Sequence, residues 1–165
     1  MGLQRRRPVA LHVLTRLIVG GATRPVLDCC SRLAGVGYRP VLVVGSAAPH
    51  EIRRDDLIAR YPDLPVLQVA SLVRSPSPIK DLRTLAVVAG AARRLGPAVI
   101  HTHTAKAGAV GRLAGKLARR RGAVLAHTFH GHSLSRTVSG GLAPVWTGIE
   151  RLLAAGATDL LLTLS

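Results

Sequence analysis

Short apolar runs alternate with amphipathic helical patterns from one end of the chain to the other. The runs are rich in Val, Ile and Leu, as strands are when both faces of their sheet are covered. We predict six strands: Pro8–Leu14, Arg39–Gly45, Pro65–Val69, Ala98–Thr102, Val124–Thr128 and Asp159–Leu164. This alternation predicts an α/β fold with a doubly wound, mostly parallel, Rossmann-like sheet in the strand order 3-2-1-4-5-6. The 165 residues suffice for a single domain, residues 1–165.

Three helical stretches carry apolar residues at spacings of three and four, which predicts that these residues face the sheet. The stripes are Val110, Leu113, Ala114, Leu117 and Ala118, then Ile79, Leu82, Leu85 and Ala89, then Val145, Ile149, Leu152 and Leu153. The opposite, solvent side of the first of these helices should hold Arg112, Lys116, Arg119 and Arg120. Cys30 lies on an apolar stripe with Val26, so we predict that it packs in the core.

The net charge of +15 favours an anionic partner: nucleic acid, an acidic membrane surface or a phosphorylated substrate. The alternative is that the many Arg side chains only solvate helix faces. One Trp, two Tyr and one Phe leave little for stacking bases, so nucleic acid is not expected. No run reaches the roughly 18 uncharged apolar residues that span a bilayer. We therefore expect a cytoplasmic protein, with peripheral contact to the inner face of the membrane as a second option.

Ligands of a doubly wound sheet bind beyond the carboxyl ends of its strands, which directs attention to three loops. The loop after the first strand contains Gly20 and Gly21, and it leads into a helix whose amide groups would point at an anion. Arg16 and Arg24 add positive charge to this loop. The pattern is not the G-x-G-x-x-G of dinucleotide-binding proteins, so it predicts an anion-binding turn without naming the ligand.

The loops after the fourth and fifth strands are rich in histidine. Alternation along a strand places His101 and His103 on one side. Lys106 should lie in the first helical turn, where a cation is unfavourable for the helix dipole, and this indicates a functional demand such as pairing with an anion. The second loop supplies His130 and His132, and it follows His127.

A metal site must be weighed against these histidines, because imidazole is the commonest protein ligand for zinc. No carboxylate lies close in sequence to either histidine cluster, and no HExxH or Cys/His pattern is present. We therefore expect hydrogen bonding to a hydroxyl-rich or phosphorylated ligand, with no metal ion and no cofactor. For His101 and His127 the alternative is burial, with their nitrogens satisfied by backbone groups.

Several stretches together resemble the N-terminal domain of family 4 glycosyltransferases, and the resemblance spans essentially the whole chain in the right order. They are His12–Ala22, Ser71–Arg74 with Pro78–Asp81, His101–Gly108, His127–His132 and Ile149–Arg151 with Thr158–Asp159 and Leu164–Ser165. The segment Ser133–Gly141 departs from the family pattern, and this leaves the choice of acceptor open.

The resemblance implies one half of a GT-B fold, retention of anomeric configuration and a nucleotide-sugar donor that is a substrate. It implies that His130 is catalytic, near the transferred sugar, and that Gly20 and Gly21 approach the donor diphosphate; the charge of Arg24 places it with them in the predicted anion site. The residues implied to line the acceptor side of the cleft are Arg16, His103, Lys106 and His132. The acceptor expected is a sugar or a lipid-linked, cell-envelope glycan.

The family's C-terminal, donor-binding domain is not in this sequence, so we expect the isolated chain to have little or no transferase activity. Two alternatives stay open. One is a basic module that binds anions or nucleic acid, and the other is half of a GT-B nucleotide-sugar epimerase.

Overall fold

The computed structural model describes residues 7–49, 51–130 and 143–163. Six strands and five helices alternate along this part of the chain, and a short antiparallel bridge joins Ile18 to Arg53. The elements are β1 (Val9–Leu14), α1 (Thr23–Gly35), β2 (Arg39–Val44), α2 (Asp55–Ile58), β3 (Val66–Gln68), α3 (Pro78–Leu95), β4 (Val99–His103), α4 (Ala105–Ala118), β5 (Val124–Phe129), α5 (Ala143–Gly156) and β6 (Leu160–Thr163).

The six strands form one sheet in the order β3-β2-β1-β4-β5-β6, and every neighbouring pair is parallel. The predicted fold class and strand order are therefore confirmed, with strand ends that differ from the prediction by at most one residue. The order reverses between β1 and β4, which is where a doubly wound sheet opens a crevice at its carboxyl edge.

Two apolar clusters cover the two faces of the sheet. One joins Leu14, Leu42 and Val44 to α1 residues that include Val26 and Cys30, so the predicted core position of Cys30 is confirmed. The other joins alternate residues of the central strands, such as Leu11 and Ile100, to α3 and α4. Alternation along each strand thus divides the core into an α1 face and an α3–α4 face.

The predicted face of α4 is partly wrong, since Val110, Ala114 and Ala118 are buried as expected. Leu113 and Leu117 are exposed, whereas Arg112 is fully buried and pairs with the buried carboxylate of Glu150 in α5. The residues that touch the sheet are small, since a Cβ on Gly111 would lie 2.7 Å from Thr102 Cγ2. A helix that approaches a sheet this closely must turn its small residues inward and its leucines outward.

The stripes predicted on α3 and α5 are also partly wrong. Ile79 and Leu82 are exposed near the start of α3, while Ala89 is buried as expected. In α5 the exposed residues include Leu152, and Leu153 beside it is buried. None of the helices in the described ranges is both long and apolar enough to cross a membrane.

Candidate functional site

Histidines from three segments meet at the carboxyl half of the sheet, on its α1 face. His12 in β1 lies in register with His101 in β4, and His103 follows two residues later. Alternation places His101 and His103 on one side, as predicted, with ring centroids 4.1 Å apart. His130, the first residue after β5, brings its ring to 5.2 Å from that of His103. The topological switch between β1 and β4 therefore carries a cluster of four imidazoles.

Three of these imidazoles form a continuous hydrogen-bonded chain. Nδ1 of His12 lies 3.1 Å from Nε2 of His103, and Nδ1 of His103 lies 3.0 Å from Nε2 of His130. The rings of His12 and His103 are almost parallel, at 6°, with centroids 5.4 Å apart. That separation is what two rings placed end to end would show, so the two nitrogens point directly at each other. Both nitrogens of His103 are thus occupied by other imidazoles.

Burial keeps this cluster neutral. Removal from water, together with a smaller effect of a neighbouring histidine, lowers the pKa of His12 to about 3 and that of His101 to about 4. Burial, followed by the surrounding histidines, lowers the pKa of His103 well below its ordinary value. The pKa of His130 is also lowered by burial. At neutral pH these rings are hydrogen-bonding groups with one N–H each and no charge.

The remaining two histidines of this region contact threonine side chains. Nε2 of His101 lies 2.7 Å from Oγ1 of Thr128. His127 is fully buried on the opposite, α3–α4 face, and its Nδ1 lies 2.9 Å from Oγ1 of Thr102. His127 is therefore buried, as the alternative expected, but its Nε2 has no partner among the described residues.

His12, His101 and His103 each offer a ring nitrogen, and the three nitrogens lie within 4.8 Å of one another. Three neutral imidazoles could in principle hold a transition-metal ion. His12 and His103, however, direct their facing nitrogens into the hydrogen bond between them. The expectation that the protein uses no metal remains a prediction.

The glycine loop between β1 and α1 presents open backbone at the same edge of the sheet. No other heavy atom lies within 4 Å of the place that a Cβ would take on Gly20 or on Gly21. The loop is closed by Thr23, whose hydroxyl donates to the carbonyl of Ile18 and accepts from its amide. Arg24 is exposed in the first turn of α1. Loop and helix start are thus arranged as the predicted anion-binding turn requires, and the ligand itself stays a prediction.

The β4–α4 junction is strained and is tied to the end of β1. Thr104 has φ 67° and ψ 156°, a backbone region that is almost restricted to glycine. Its hydroxyl lies 2.6 Å from that of Thr15, which also accepts from the amide of Ala107 in the first turn of α4. Strain of this kind is retained where the surrounding structure fixes the conformation, and it is concentrated at functional sites.

The two predicted cleft cations are engaged with acidic residues of this chain. Lys106 lies in the first turn of α4, as predicted, and its buried Nζ contacts Asp81 of α3 at 2.5 Å. Arg16 lies 2.8 Å from Glu51. The anionic partner inferred for Lys106 is thus supplied by α3, and the part that either cation plays at an acceptor remains a prediction. His132 and the Ser133–Gly141 segment lie outside the described residues.

Sequence reasoning identified His103 and His130 but did not place His12 in the site. His12 lies in the middle of a buried strand, where a histidine is ordinarily a packing residue. The available signal was its place in β1 together with the predicted adjacency of β1 and β4, which brings it beside His101.

Solved structures with the same architecture show which fold the chain adopts. The chain superimposes on MurG from Acinetobacter baumannii with a TM-score of 0.60 at 13% identity, covering 96% of this chain and 41% of that one. For a glycosyltransferase from Rickettsia africae the TM-score is 0.59 at 14% identity, with coverages of 96% and 43%. For sucrose-phosphate synthase from Thermosynechococcus elongatus the TM-score is 0.60 at 15% identity, with coverages of 96% and 47%. The fold is therefore the Rossmann-like α/β domain of GT-B glycosyltransferases, and the chain spans less than half the length of these structures.

The sequence profile described as Glycosyltransferase Family 4 matches residues 19–165. The chain belongs to this family, and the predicted membership is confirmed. A search of curated proteins finds no significant match.

Proposed function

We propose that this chain is the acceptor-side half of a retaining glycosyltransferase, which moves a sugar from a nucleotide-sugar donor to a lipid-linked or cell-envelope glycan. The observation that supports this most directly is the arrangement of the carboxyl edge. There the open glycine loop and the start of α1 follow β1, and the neutral ring of His130 follows β5 and contacts His103 at the end of β4. An open loop of amides suits a diphosphate, and a neutral imidazole suits a sugar hydroxyl.

Transfer from a nucleotide sugar depends mainly on positioned charge around the leaving diphosphate. The basic groups of the predicted cleft that lie nearest the strand ends, Arg16 and Lys106, are engaged with Glu51 and Asp81. We therefore propose that the donor is held largely by a second domain, and that the 165-residue chain alone gives no turnover.

The experiment is to translate the coding DNA beyond Ser165, to express any second α/β domain found there with this chain, and to assay a panel of nucleotide sugars. We expect transfer with retained configuration by the two-domain protein and none by residues 1–165. Turnover by the short chain would contradict the need for a second domain. If the two-domain protein gave no transfer with any donor, the proposed activity would be wrong.

His130→Ala in the two-domain protein should lower kcat by about 100-fold or more, the usual cost of removing one group that stabilises the transition state. Asp56→Asn, at an exposed ion pair of α2, is the matched control and should leave kcat unchanged. Equal activity of His130→Ala and the parent protein would remove His130 from catalysis.

We also propose that the outer surface of α3 and α4 rests on an anionic membrane. The two helices pack side by side, and both direct large apolar residues outward among basic ones. The exposed apolar residues are Ile79, Leu82, Val87, Leu113 and Leu117, and the exposed basic residues are Lys80, Arg83, Arg93, Arg94, Lys116, Arg120 and Arg121. An apolar surface interspersed with Arg and Lys is what binding to an anionic bilayer interface requires.

Liposome sedimentation tests this surface. The protein should sediment with vesicles containing anionic lipid at low salt, and less with zwitterionic vesicles or in high salt. The variant Leu113→Gln/Leu117→Gln should bind more weakly, and Leu152→Gln, at an exposed leucine of α5, serves as the control. Equal loss of binding in both variants would show that this surface is not the one used.

A further inference from the structure

The chain of three imidazoles has only two possible arrangements of its protons. A neutral imidazole carries one N–H and one bare nitrogen, so each link needs a donor on one ring and an acceptor on the next. Because both nitrogens of His103 are used, the direction of one link fixes the direction of the other. The two free ends are Nε2 of His12 and Nδ1 of His130, neither of which has a partner among the described residues. In either arrangement one of these two ends must carry an N–H without an acceptor.

The two ends are not equivalent. His12 is fully buried in the central strand β1, with apolar neighbours in register on β2. Nδ1 of His130 is also shielded from solvent, but its ring is only half-buried after the end of β5, so a small movement of this ring brings an N–H at Nδ1 to water. Among the described residues, the other titratable groups near these three rings are His101, which is engaged with Thr128, and His127, which lies on the opposite face of the sheet. A buried donor without an acceptor costs about 1–3 kcal/mol, and orphaned N–H groups are rarer than orphaned acceptors. The bare nitrogen therefore belongs on His12, and the free N–H belongs on His130.

We propose that the hydrogen bonds linking His12, His103 and His130 stabilise His130 in its Nδ1–H tautomer. His12 donates from Nδ1 to Nε2 of His103, and His103 donates from Nδ1 to Nε2 of His130. The only proton left on neutral His130 is then the one on Nδ1. His12 and His103 are positioning residues, because they set the proton on His130 and need no contact with a ligand.

This tautomer defines the ligand chemistry at His130. A free Nδ1–H donates and does not accept, so it matches an oxygen that carries a lone pair, as in a sugar hydroxyl or a phosphate. His130 would therefore enter the reaction as a hydrogen-bond donor and not as a base. This statement about a ligand rests on the proposed function, whereas the tautomer itself is a property of the protein without substrate.

The tautomer is measured directly by nuclear magnetic resonance on 15N-labelled, ligand-free protein at neutral pH. We expect Nδ1 of His130 to resonate as a protonated ring nitrogen and Nε2 as an unprotonated one. Scalar coupling across the hydrogen bonds should link Nδ1 of His12 to Nε2 of His103 and Nδ1 of His103 to Nε2 of His130. An Nε2–H tautomer, an averaged mixture or an imidazolium at His130 would overturn the proposal, whatever the outcome of the transferase assays.

Variants of His12 separate positioning from packing. In His12→Asp the carboxylate can only accept, so Nε2 of His103 should become the donor and His130 should move towards the Nε2–H tautomer. In His12→Asn the amide nitrogen takes the place of Nδ1 and can still donate, so the Nδ1–H tautomer should be restored. His127→Asn, on the opposite face of the sheet, is the control and should leave His130 unchanged. Retention of Nδ1–H in His12→Asp would show that His12 does not set the tautomer, and the couplings in the parent protein decide the proposal if that variant does not fold.

Discussion

Thr104 is the residue whose backbone departs furthest from what its side chain prefers. Its φ of 67° with ψ of 156° costs a β-branched residue on the order of 1–3 kcal/mol, and glycine adopts this region without that cost. Thr104→Ala keeps the strain and loses the hydroxyl that contacts Thr15, whereas Thr104→Gly loses the same hydroxyl but relieves the strain. We therefore expect Thr104→Gly to be more stable than Thr104→Ala by about 1 kcal/mol in urea unfolding.

Thr84 provides the control for this comparison. It lies inside α3 with helical neighbours, so there the glycine variant should be less stable than the alanine variant by up to about 1 kcal/mol. The same order at both positions would mean that the backbone of Thr104 is not strained.

The buried histidines make the stability of the fold depend on pH. The pKa of His127 is lowered to about 3 by burial, and further by Arg112, against 6.5 in the unfolded chain. A depressed pKa means that the unfolded state binds the proton first, so the contribution to stability is full above pH 6.5 and is lost as the pH falls from 6.5 towards 3. His12, with a pKa of about 3, acts in the same direction. Each such group adds a slope of at most about 1.4 kcal/mol per pH unit inside this window.

Unfolding by urea at several pH values between 4 and 7.5 measures this slope. His127→Asn should make it shallower by about one proton, even if the variant is less stable at every pH, because the slope counts protons and not contacts. A slope identical to that of the parent protein would show that His127 is not protonated on unfolding in this range.

The periodicity of strands and helices predicted the positions of some residues of the candidate site. His101 and His103 on one side, and Lys106 in the first helical turn, follow from the periods of a strand and a helix. The role of His12 does not follow from local pattern, because its partner His103 lies 91 residues away and is reached only through the pairing of β1 with β4. The partner of Lys106 was missed for the same reason, since Asp81 comes from another helix.

The elements themselves were predicted well, and their faces less well. Six runs of apolar, β-branched residues were enough to locate six strands. In α4 the predicted stripe is exposed at Leu113 and Leu117, although its smaller members are buried as expected. The structure also buries three glycines that the prediction left out: Gly108, Gly111 and Gly115. The spacing of apolar residues predicts which face of a helix is buried, but it does not predict how closely the helix packs against the sheet.

Gly111 tests how close that approach is. A Cβ at Gly111 would lie 2.7 Å from Thr102 and 3.5 Å from Val13, both in central strands. Gly111→Ala should therefore destabilise the fold by about 1–3 kcal/mol despite its better helix propensity. Gly148 in α5 has nothing within 4 Å of its Cβ position, so Gly148→Ala should stabilise by about 0.5–1 kcal/mol. Two stabilising substitutions, measured by thermal or urea unfolding, would mean that α4 lies further from the sheet.

At the scale of the whole molecule, the strand order could be predicted because right-handed crossovers leave few ways to arrange alternating strands and helices. Which strands are buried and which are exposed could not be predicted from the sequence. The centre of the sheet is covered on both faces, whereas all four residues of β6, including Leu160 and Leu162, are exposed. The ion pairs that hold α5 and β6 against the rest of the sheet join residues far apart in sequence. The most buried of them links Arg112 of α4 to Glu150 of α5.

This difference in burial predicts that α5 and β6 form the least stable unit of the fold and that the Arg112–Glu150 pair holds it in place. Glu150→Gln leaves the fully buried guanidinium of Arg112 without its counter-charge, which costs about 3 kcal/mol or more. Hydrogen exchange should then show lost protection in α5 and β6, while β1, β2 and β4 keep theirs. Asp56→Asn removes the exposed pair with Arg54 and should change protection nowhere, since solvent screens that pair. If Glu150→Gln lowered protection equally across all six strands, the edge and the centre of the sheet would unfold as one cooperative unit, and the buried pair would stabilise the whole domain and not its edge.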